Sequence, residues 1–326
     1  MRVKSFIPFV NFAVVLLFAT SVVVHAQSGV FPNRPVRIIV PYAAGGGTDI
    51  LTRAIAHQLN EIWGQTVVVD NRGGAGGVVG TAIAAKARPD GYTITLNSIA
   101  IATVPALYDN LPYDTLRDLA PVALVASQPS LMVINPSLPV NSLGEFIKLA
   151  KANPDKFTIG SGAGAALLAI ALFRSASGLK IVDVRYKGAA QPLTELMAGN
   201  IQLAVSPASL VMPFITSGKL KGLAVAGSKR STLAPALPTV AEAGLPDYEF
   251  EHIWYGILTA AGVPTPVLNQ LNRDILRALG ATELRKWFAT AGLEPLTSTP
   301  EEFSRYLKAE IAKWARVIKT AGIKAD

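Results

Sequence analysis

Residues 36–63 read VRIIVPYAAGGGTDILTRAIAHQLNEIW. A β-branched run stops at Pro41, three glycines follow at positions 45–47, and helical periodicity begins around Thr48 and Asp49. This order predicts a strand, a loop largely without side chains and a helix N-terminus. The first N–H groups of a helix have no intrahelical acceptor, and glycines let a ligand approach them closely. The stretch therefore predicts a place for a small anion, although it matches neither GxGxxG nor a P-loop.

The same order recurs twice further along the chain. Residues 66–70 (TVVVD) precede the glycine-rich residues 71–77 (NRGGAGG), and residues 157–159 (FTI) precede residues 160–164 (GSGAG). Alternating strands and helices predict an α/β fold with a parallel sheet. A single glycine loop is equally compatible with a tight turn that binds nothing. Three of them favour an anion site, because open α/β sheets bind ligands outside the carboxyl ends of their strands.

The N-terminus has the pattern of an export signal. Arg2 and Lys4 precede an almost wholly apolar run at residues 6–24, and Ala26 is the small residue of a cleavage site. We therefore expect residues 1–26 to be a cleaved signal peptide and the mature protein to be periplasmic, with an uncleaved membrane anchor as the alternative. A chain without Cys suits that compartment, where disulfides are permitted but not required.

The charge of the expected mature chain is mildly positive. Without the signal peptide, 28 of the 30 basic residues remain against 22 acidic ones. A merely soluble basic surface explains this excess, which would also help to attract an anion. No Lys/Arg block is interleaved with aromatic residues, so we expect no nucleic-acid partner.

The residues available for catalysis are few. Beyond residue 26 the chain has two histidines, of which His57 falls inside a predicted helix and His252 lies near Trp254 on a predicted strand. His252 could line a ligand pocket. There is no Cys nucleophile, no GxSxG elbow and no metal-ligand spacing. A Ser-His-Asp triad stays open by sequence order, but nothing points to one. We therefore predict no catalytic residue, no metal, no cofactor and no enzymatic activity.

The order of elements predicts two α/β units connected by paired extended segments near residues 122–134 and 248–258. We expect residues 27–126 and 251–326 to form a discontinuous first domain and residues 127–250 to form the second. A last helix opens at Thr299-Pro300-Glu301-Glu302 and carries an apolar stripe at helical spacing, which predicts that it is packed.

Several segments of the chain, in order, resemble the Bug family of tripartite tricarboxylate transporter substrate-binding proteins. The segments that carry the resemblance are residues 35–49 (PVRIIVPYAAGGGTD), 68–77 (VVDNRGGAGG), 89–93 (PDGYT), 105–108 (PALY), 111–114 (LPYD), 186–188 (YKG), 237–244 (LPTVAEAG) and 299–303 (TPEEF). They extend over essentially the whole chain after residue 26, so the resemblance is specific.

The resemblance implies a two-domain periplasmic binding protein of type II, or Venus-flytrap, architecture, with a mainly parallel sheet in each domain. Its ligand would be a small carboxylate held in the cleft by backbone N–H groups and hydroxyls. Its partner would be a membrane permease of the tripartite tricarboxylate type or a sensor, and we expect a monomer. Carried over, the ligand-binding residues are Tyr42, Gly45, Gly46, Gly47, Thr48, Asp49, Ser98, Ser161, Gly162, Ala163, Ser206 and Trp254. Of these, Asp49 is better suited to brace the loop, because a carboxylate repels an anion.

The chain departs from the family pattern in the second domain. Many members resemble GSSGxGTSSHL where this chain has GSGAGAALL at residues 160–168, and many carry Asp near the position of Ser206. Hydroxyls and a His are thus replaced by Ala and Leu. A buried polar ligand would lack partners there, at about 1–3 kcal/mol per unsatisfied group. We therefore hypothesise a ligand with one carboxylate and an apolar or aromatic body. A phosphate or sulfate receptor, or a hydrolase or transferase on the same fold, is the alternative.

Overall fold

The computed structural model describes residues 31–321, except residues 155, 162–164, 187–190, 249 and 251. The predicted signal peptide lies outside the described residues. The described strands are β1 Val36–Val40, β2 Val67–Asn71, β3 Thr93–Ser98, β4 Leu119–Gln128, β5 Ser130–Ile134, β6 Thr158–Ser161, β7 Val182–Arg185, β8 Leu203–Pro207, β9 Lys221–Ala226, β10 Ile253–Ala260 and β11 Glu294–Pro295. The described helices are α1 Gly47–Trp63, α2 Val78–Ala85, α3 Ala100–Leu107, α4 Leu143–Ala152, α5 Ala165–Ser177, α6 Gln191–Met197, α7 Ala208–Thr216, α8 Thr265–Gly280, α9 Thr282–Ala291 and α10 Pro300–Ala321.

The strands of the described residues form two sheets. The first has the order β11-β4-β10-β3-β1-β2 and the second the order β7-β6-β8-β5-β9. The pair β1–β2 and the pair β1–β3 are parallel, as are β6–β7 and β6–β8. The α/β class is confirmed, but both sheets are mixed rather than mainly parallel. The reason is that β10 in the first sheet and β5 in the second run antiparallel to their neighbours on both sides.

The chain passes from the first sheet to the second within a single residue. β4 ends at Gln128, Pro129 follows, and β5 begins at Ser130. Gln128 pairs with the first residue of β10, and Ser130 pairs with the last residue of β8, Pro207. The carboxyl-end edges of the two sheets therefore meet at this crossing. That edge is where ligands bind in open α/β sheets.

The last helix, α10, packs as its apolar stripe predicts. Phe303, Leu307, Trp314 and Ile318 are all buried. Its start is also confirmed, because Thr299 and Glu302 form a reciprocal capping box: the Glu302 N–H donates to the Thr299 hydroxyl at 3.1 Å and the Thr299 N–H to the carboxylate at 2.9 Å. None of the described helices is long and apolar enough to cross a membrane.

The segment LPTVAEAG at residues 237–244 predicts a short helix that ends at Gly244, and this prediction is wrong. Residues 237–244 form a β-bridge and turns instead of a helix. Thr239 and Glu242 do make the reciprocal hydrogen bonds of a capping box. The backbone of Val225 in β9, however, binds Pro238 and Val240 on either side of the bridge, and this pairing holds the segment extended against the sheet.

Candidate functional site

The glycine loop before α1 is held by its own acidic residue. The Asp49 Oδ2 accepts the backbone N–H of Gly45 at 2.8 Å, and Gly45 has a φ of +79°, which favours glycine. Gly46 is the N-cap residue and has no side chain to cap the helix. The N–H groups of Gly47 and Thr48 belong to the first turn, where a helix offers no acceptor. N–H groups at such a helix start are donors for a small anion.

Asp49 acts as a brace, because its charge is already compensated. The Nε of Arg53 lies 3.0 Å from Oδ1 and 3.1 Å from Oδ2, and the latter contact has hydrogen-bond geometry. Burial raises the pKa of Asp49, but the hydrogen bonds from Arg53, Gly45 and Asn71 outweigh burial and leave that pKa below its ordinary value. Asp49 is only 3% exposed and ionised at neutral pH.

A chain of contacts connects this brace with the second glycine loop. Arg53 also donates to the Asn71 Oδ1 at 3.2 Å, and the Asn71 Nδ2 donates to the backbone carbonyl of Tyr42 at 3.3 Å. Arg72 pairs with Asp70 at 3.0 Å. Asn71 and Arg72 could be read from the sequence as an anion clamp or as a structural part of the loop, and these partners favour the structural role.

Tyr42 and Ser98 come together at the carboxyl ends of β1 and β3. Their hydroxyl oxygens lie 2.8 Å apart. The Tyr42 ring also lies beside Gly77 of the second glycine loop, where an added Cβ would be 3.2 Å from the ring. Burial raises the pKa of Tyr42, more than its hydrogen bonds with Ser98 lower it. Both hydroxyls therefore stay protonated at neutral pH, and because one donates to the other, one O–H of the pair is left to donate to a ligand.

Tyr255 is the aromatic residue of β10 that the structure places at this edge. It pairs with Ser98 across the sheet, and its hydroxyl donates to the Gln128 Oε1 at 3.2 Å. The same hydroxyl lies 3.9 Å from where a Cβ would stand on Gly47, the first residue of α1. Burial, followed by the nearby Tyr42, raises the pKa of Tyr255 to about 12. Sequence reasoning missed Tyr255 and Gln128.

Trp254 requires a correction, since we predicted it as a side of the cleft. Its ring is 1% exposed and packs edge-on against Phe303 and Tyr306 of α10. The indole nitrogen donates to Glu310. Successive strand residues point to opposite faces of a sheet, so Trp254 faces α10 while its neighbour Tyr255 faces α1. The alternation of the strand was visible in the sequence, but the face that carries the site was not.

The predicted residues of the second domain are placed only in part. Gly162 and Ala163 lie outside the described residues. The backbone of Ser161 ends β6, opposite Val205 of β8. Ser206 follows on β8 and is buried at 2% exposure. Ser161 and Ser206 thus lie at the carboxyl-end edge of the second sheet, which meets the first-sheet edge at the crossing.

The two histidines are not brought together. His57 is exposed on α1, and His252 packs against Gly227, where an added Cβ would lie 3.0 Å from the Nε2. Among the described residues, no group of three or more His, Cys, Asp or Glu side chains could hold a metal ion. The side chains that do converge are hydroxyls and an amide, which can bind a ligand but offer no activated nucleophile.

Comparison with known proteins assigns the chain to a family. The model of the family described as "Tripartite tricarboxylate transporter family receptor" matches residues 51–323. This chain belongs to that receptor family. Protein BugT of Bordetella pertussis is 35% identical over 314 residues, which cover 95% of this chain and 96% of BugT.

Solved structures show the same fold. The periplasmic binding protein BugD is 33% identical with a TM-score of 0.73, and the alignment covers 90% of this chain and 99% of BugD. Rpa4515 of R. palustris, solved with adipate, is 35% identical with a TM-score of 0.75 over 90% of this chain and 99% of its own. MatC of Rhodopseudomonas palustris, solved with malate, is 27% identical with a TM-score of 0.71 over 88% of this chain and 100% of its own.

The family settles the class of function. Members of the tripartite tricarboxylate transporter receptor family are periplasmic solute-binding proteins, and two of the structures above hold small carboxylates. This chain is therefore a solute-binding receptor and not an enzyme, as its lack of a nucleophile–base pair predicted. The two-domain binding-protein fold is likewise confirmed.

Proposed function

We propose that this receptor captures a small organic carboxylate in the periplasm and grips it at the N-terminus of α1. The observation that supports the proposal is the convergence of the first-turn N–H groups of Gly47 and Thr48 with neutral hydroxyls from Tyr42, Ser98 and Tyr255. Helix N-termini favour negative charge, and the first-turn N–H groups and the one O–H that the Tyr42–Ser98 bond leaves unused are donors for carboxylate oxygens. The Asp49 charge does not oppose this, because Arg53 compensates it.

We propose further that the rest of the ligand is apolar or aromatic. The segment GSGAGAALL at residues 160–168 has Ala and Leu where the resemblance predicts hydroxyls and His, and Ser206 stands where many members carry Asp. A ligand with several carboxylates would leave buried oxygens without hydrogen-bond donors at these positions, whereas an apolar body needs no donors. The same loss of Asp disfavours amino acids, whose ammonium group needs an acidic partner.

The remaining parts of the proposal concern location and partners. Residues 1–26 would direct export and be removed, and the mature chain would be a monomer that delivers its ligand to a tripartite tricarboxylate-type permease or to a sensor. Residues 27–126 and 251–326 would form one domain and residues 127–250 the other. The crossing at Pro129 and the junction of the two carboxyl-end edges support closure of the domains around the ligand.

A thermal-shift panel tests the ligand class. The purified mature protein is mixed with adipate, malate, citrate, aspartate, phenylacetate, octanoate, phosphate and sulfate. We expect stabilisation by the carboxylates with an apolar or aromatic body, since a ligand at about one hundred times its Kd adds about 2.7 kcal/mol. Stabilisation by citrate or aspartate alone would refute the apolar body, and stabilisation by phosphate or sulfate alone would favour the anion-receptor alternative.

A pair of glycine variants tests the location of the site. Gly47→Leu places a side chain beside the Tyr255 hydroxyl, so it should abolish stabilisation by every ligand of the panel. Gly280→Leu is the matched control, because that glycine ends α8 in open space. Equal stabilisation of the two variants by the ligands would show that the site does not lie at the N-terminus of α1.

A further inference from the structure

We propose that Tyr255 and Gln128 form the floor of the binding cleft and select carboxylates that carry a hydroxyl next to the carboxylate group. The inference rests on the proposed function, since it assumes that a carboxylate is held at the start of α1. It adds the two residues that read the atoms beside that carboxylate and the chemical group that they prefer.

Position is the first argument. Gln128 is the last residue of β4, immediately before the crossing between the sheets, and Tyr255 lies on the adjacent strand β10. The Tyr255 hydroxyl is 3.9 Å from the point where a Cβ would stand on Gly47. The proposed carboxylate is held at this glycine. A substituent on the carbon next to that carboxylate is therefore within reach of this hydroxyl.

The second argument is the number of hydrogen-bond donors and acceptors that Tyr255 and Gln128 leave unused. The Tyr255 hydroxyl donates to the Gln128 Oε1 at 3.2 Å, which leaves the hydroxyl oxygen as an acceptor. Within the described part of the chain, the Gln128 Nε2 has no acceptor of its own, so it remains a donor. If the amide is rotated so that Nε2 donates to Tyr255, the hydroxyl becomes the donor and Oε1 the acceptor. Either orientation presents one donor and one acceptor.

This donor–acceptor pair matches a ligand hydroxyl, which also donates once and accepts. A second carboxylate at the same place only accepts, so one member of the pair would face it without a partner. With a hydrogen atom in place of the hydroxyl, Tyr255 and Gln128 keep their mutual bond, but the remaining donor and acceptor of the pair have no ligand partner, in a site where Tyr255 is 6% exposed. The pair should therefore favour 2-hydroxy acids over the same acids without the hydroxyl.

Calorimetric titration with two matched ligand pairs tests the inference. The pairs are mandelate with phenylacetate and 2-hydroxyhexanoate with hexanoate, in which the members differ by one hydroxyl. We expect the mature protein to bind the hydroxy acid about tenfold more tightly in the pair that it binds better. Tyr255→Phe should reduce that preference to less than twofold, and Gln128→Leu should reduce it at least by half.

Tyr92→Phe is the matched control. The Tyr92 hydroxyl bonds Asn33 at 2.8 Å, and Tyr92 immediately precedes β3 at the edge opposite the cleft, so the tenfold preference should persist. Melting temperatures of all variants show that they fold. Equal binding of both members of each pair overturns the inference. A preference that survives in Tyr255→Phe also overturns it, and so does a protein that binds other carboxylates but neither pair. If no carboxylate binds at all, the proposed function itself is refuted.

Discussion

The indole nitrogen of Trp254 donates a hydrogen bond to the Oε2 of Glu310 across 3.1 Å in the interior of the protein. The same oxygen accepts the indole N–H of Trp314 at 3.0 Å, and Lys313 forms an ion pair with the other carboxylate oxygen. Glu310 is 3% exposed. One buried carboxylate thus connects β10, the strand that carries Tyr255, to α10.

Removal of this carboxylate should be costly. Glu310→Ala leaves two buried indole N–H groups without an acceptor and removes the partner of Lys313, so we expect a loss of about 3–5 kcal/mol in the free energy of unfolding. Glu310→Gln retains one acceptor and should cost less. Urea denaturation measures both. Glu301→Ala, at an exposed position of the same helix, is the control and should change stability by about 0.5 kcal/mol or less.

The Asp49 brace should make stability depend on pH. Its folded-state pKa is lowered from the ordinary 3.8, so its contribution is complete above about pH 4 and is lost as pH falls through the lowered pKa. Asp49→Asn should therefore cost about 1–2 kcal/mol at neutral pH, and the difference should shrink in acid. In an Arg53→Gln background the cost should be smaller. A difference that is constant with pH would contradict the brace.

Alanine substitutions at two glycines in the left-handed conformation distinguish the cost of backbone strain from the cost of a steric clash between α9 and α7. Gly64 and Gly292 end α1 and α9 with φ values of +59° and +66°. A Cβ on Gly64 meets nothing within 4 Å, whereas one on Gly292 lies 2.9 Å from the Ser209 Cα of α7. Gly64→Ala should cost about 1–2 kcal/mol for strain alone, and Gly292→Ala about 1–3 kcal/mol more.

Ser209→Gly provides the check on that comparison. It removes the Ser209 Cβ, so Gly292→Ala combined with Ser209→Gly should recover part of the additional loss in a denaturation experiment. Equal losses for Gly64→Ala and Gly292→Ala would show that α7 moves away freely, and that the contact between α9 and α7 does not hold the second unit in place.

Three tyrosines, Tyr42, Tyr113 and Tyr255, should resist ionisation. Burial raises the pKa of Tyr113 and of Tyr255 to about 12 and also raises that of Tyr42. Neutral tyrosine is therefore favoured in the folded state, and this stabilisation is complete below about pH 10 and decreases as pH rises further. In an absorbance titration, fewer than all 8 tyrosines should ionise near pH 10 until the protein unfolds. Tyr255→Phe should remove one of the late-titrating groups.

The local elements around the site could be predicted because their signals are short-range. The strand, the glycine loop and the α1 N-terminus follow one another within residues 36–63, and Asp49 reaches Gly45 over only four residues. The capping box at Thr299 is equally local. The prediction of a helix at residues 237–244 was wrong for the opposite reason. Pairing with β9, which no local pattern reveals, overrode the capping signal of the segment.

The sequence by itself therefore determined the class of the protein and the strand–glycine loop–helix order of residues 36–63, where we propose that the ligand binds, because periodicity, glycine and capping residues act over a few residues. Only the tertiary structure decided that Tyr255, and not Trp254, lies beside Gly47 at the proposed site. Strand alternation fixes that the two rings point in opposite directions. Which of the two rings lies near Gly47 depends on the packing of Tyr255 with α1 and of Trp254 with α10, and helix placement is a property of the whole sheet.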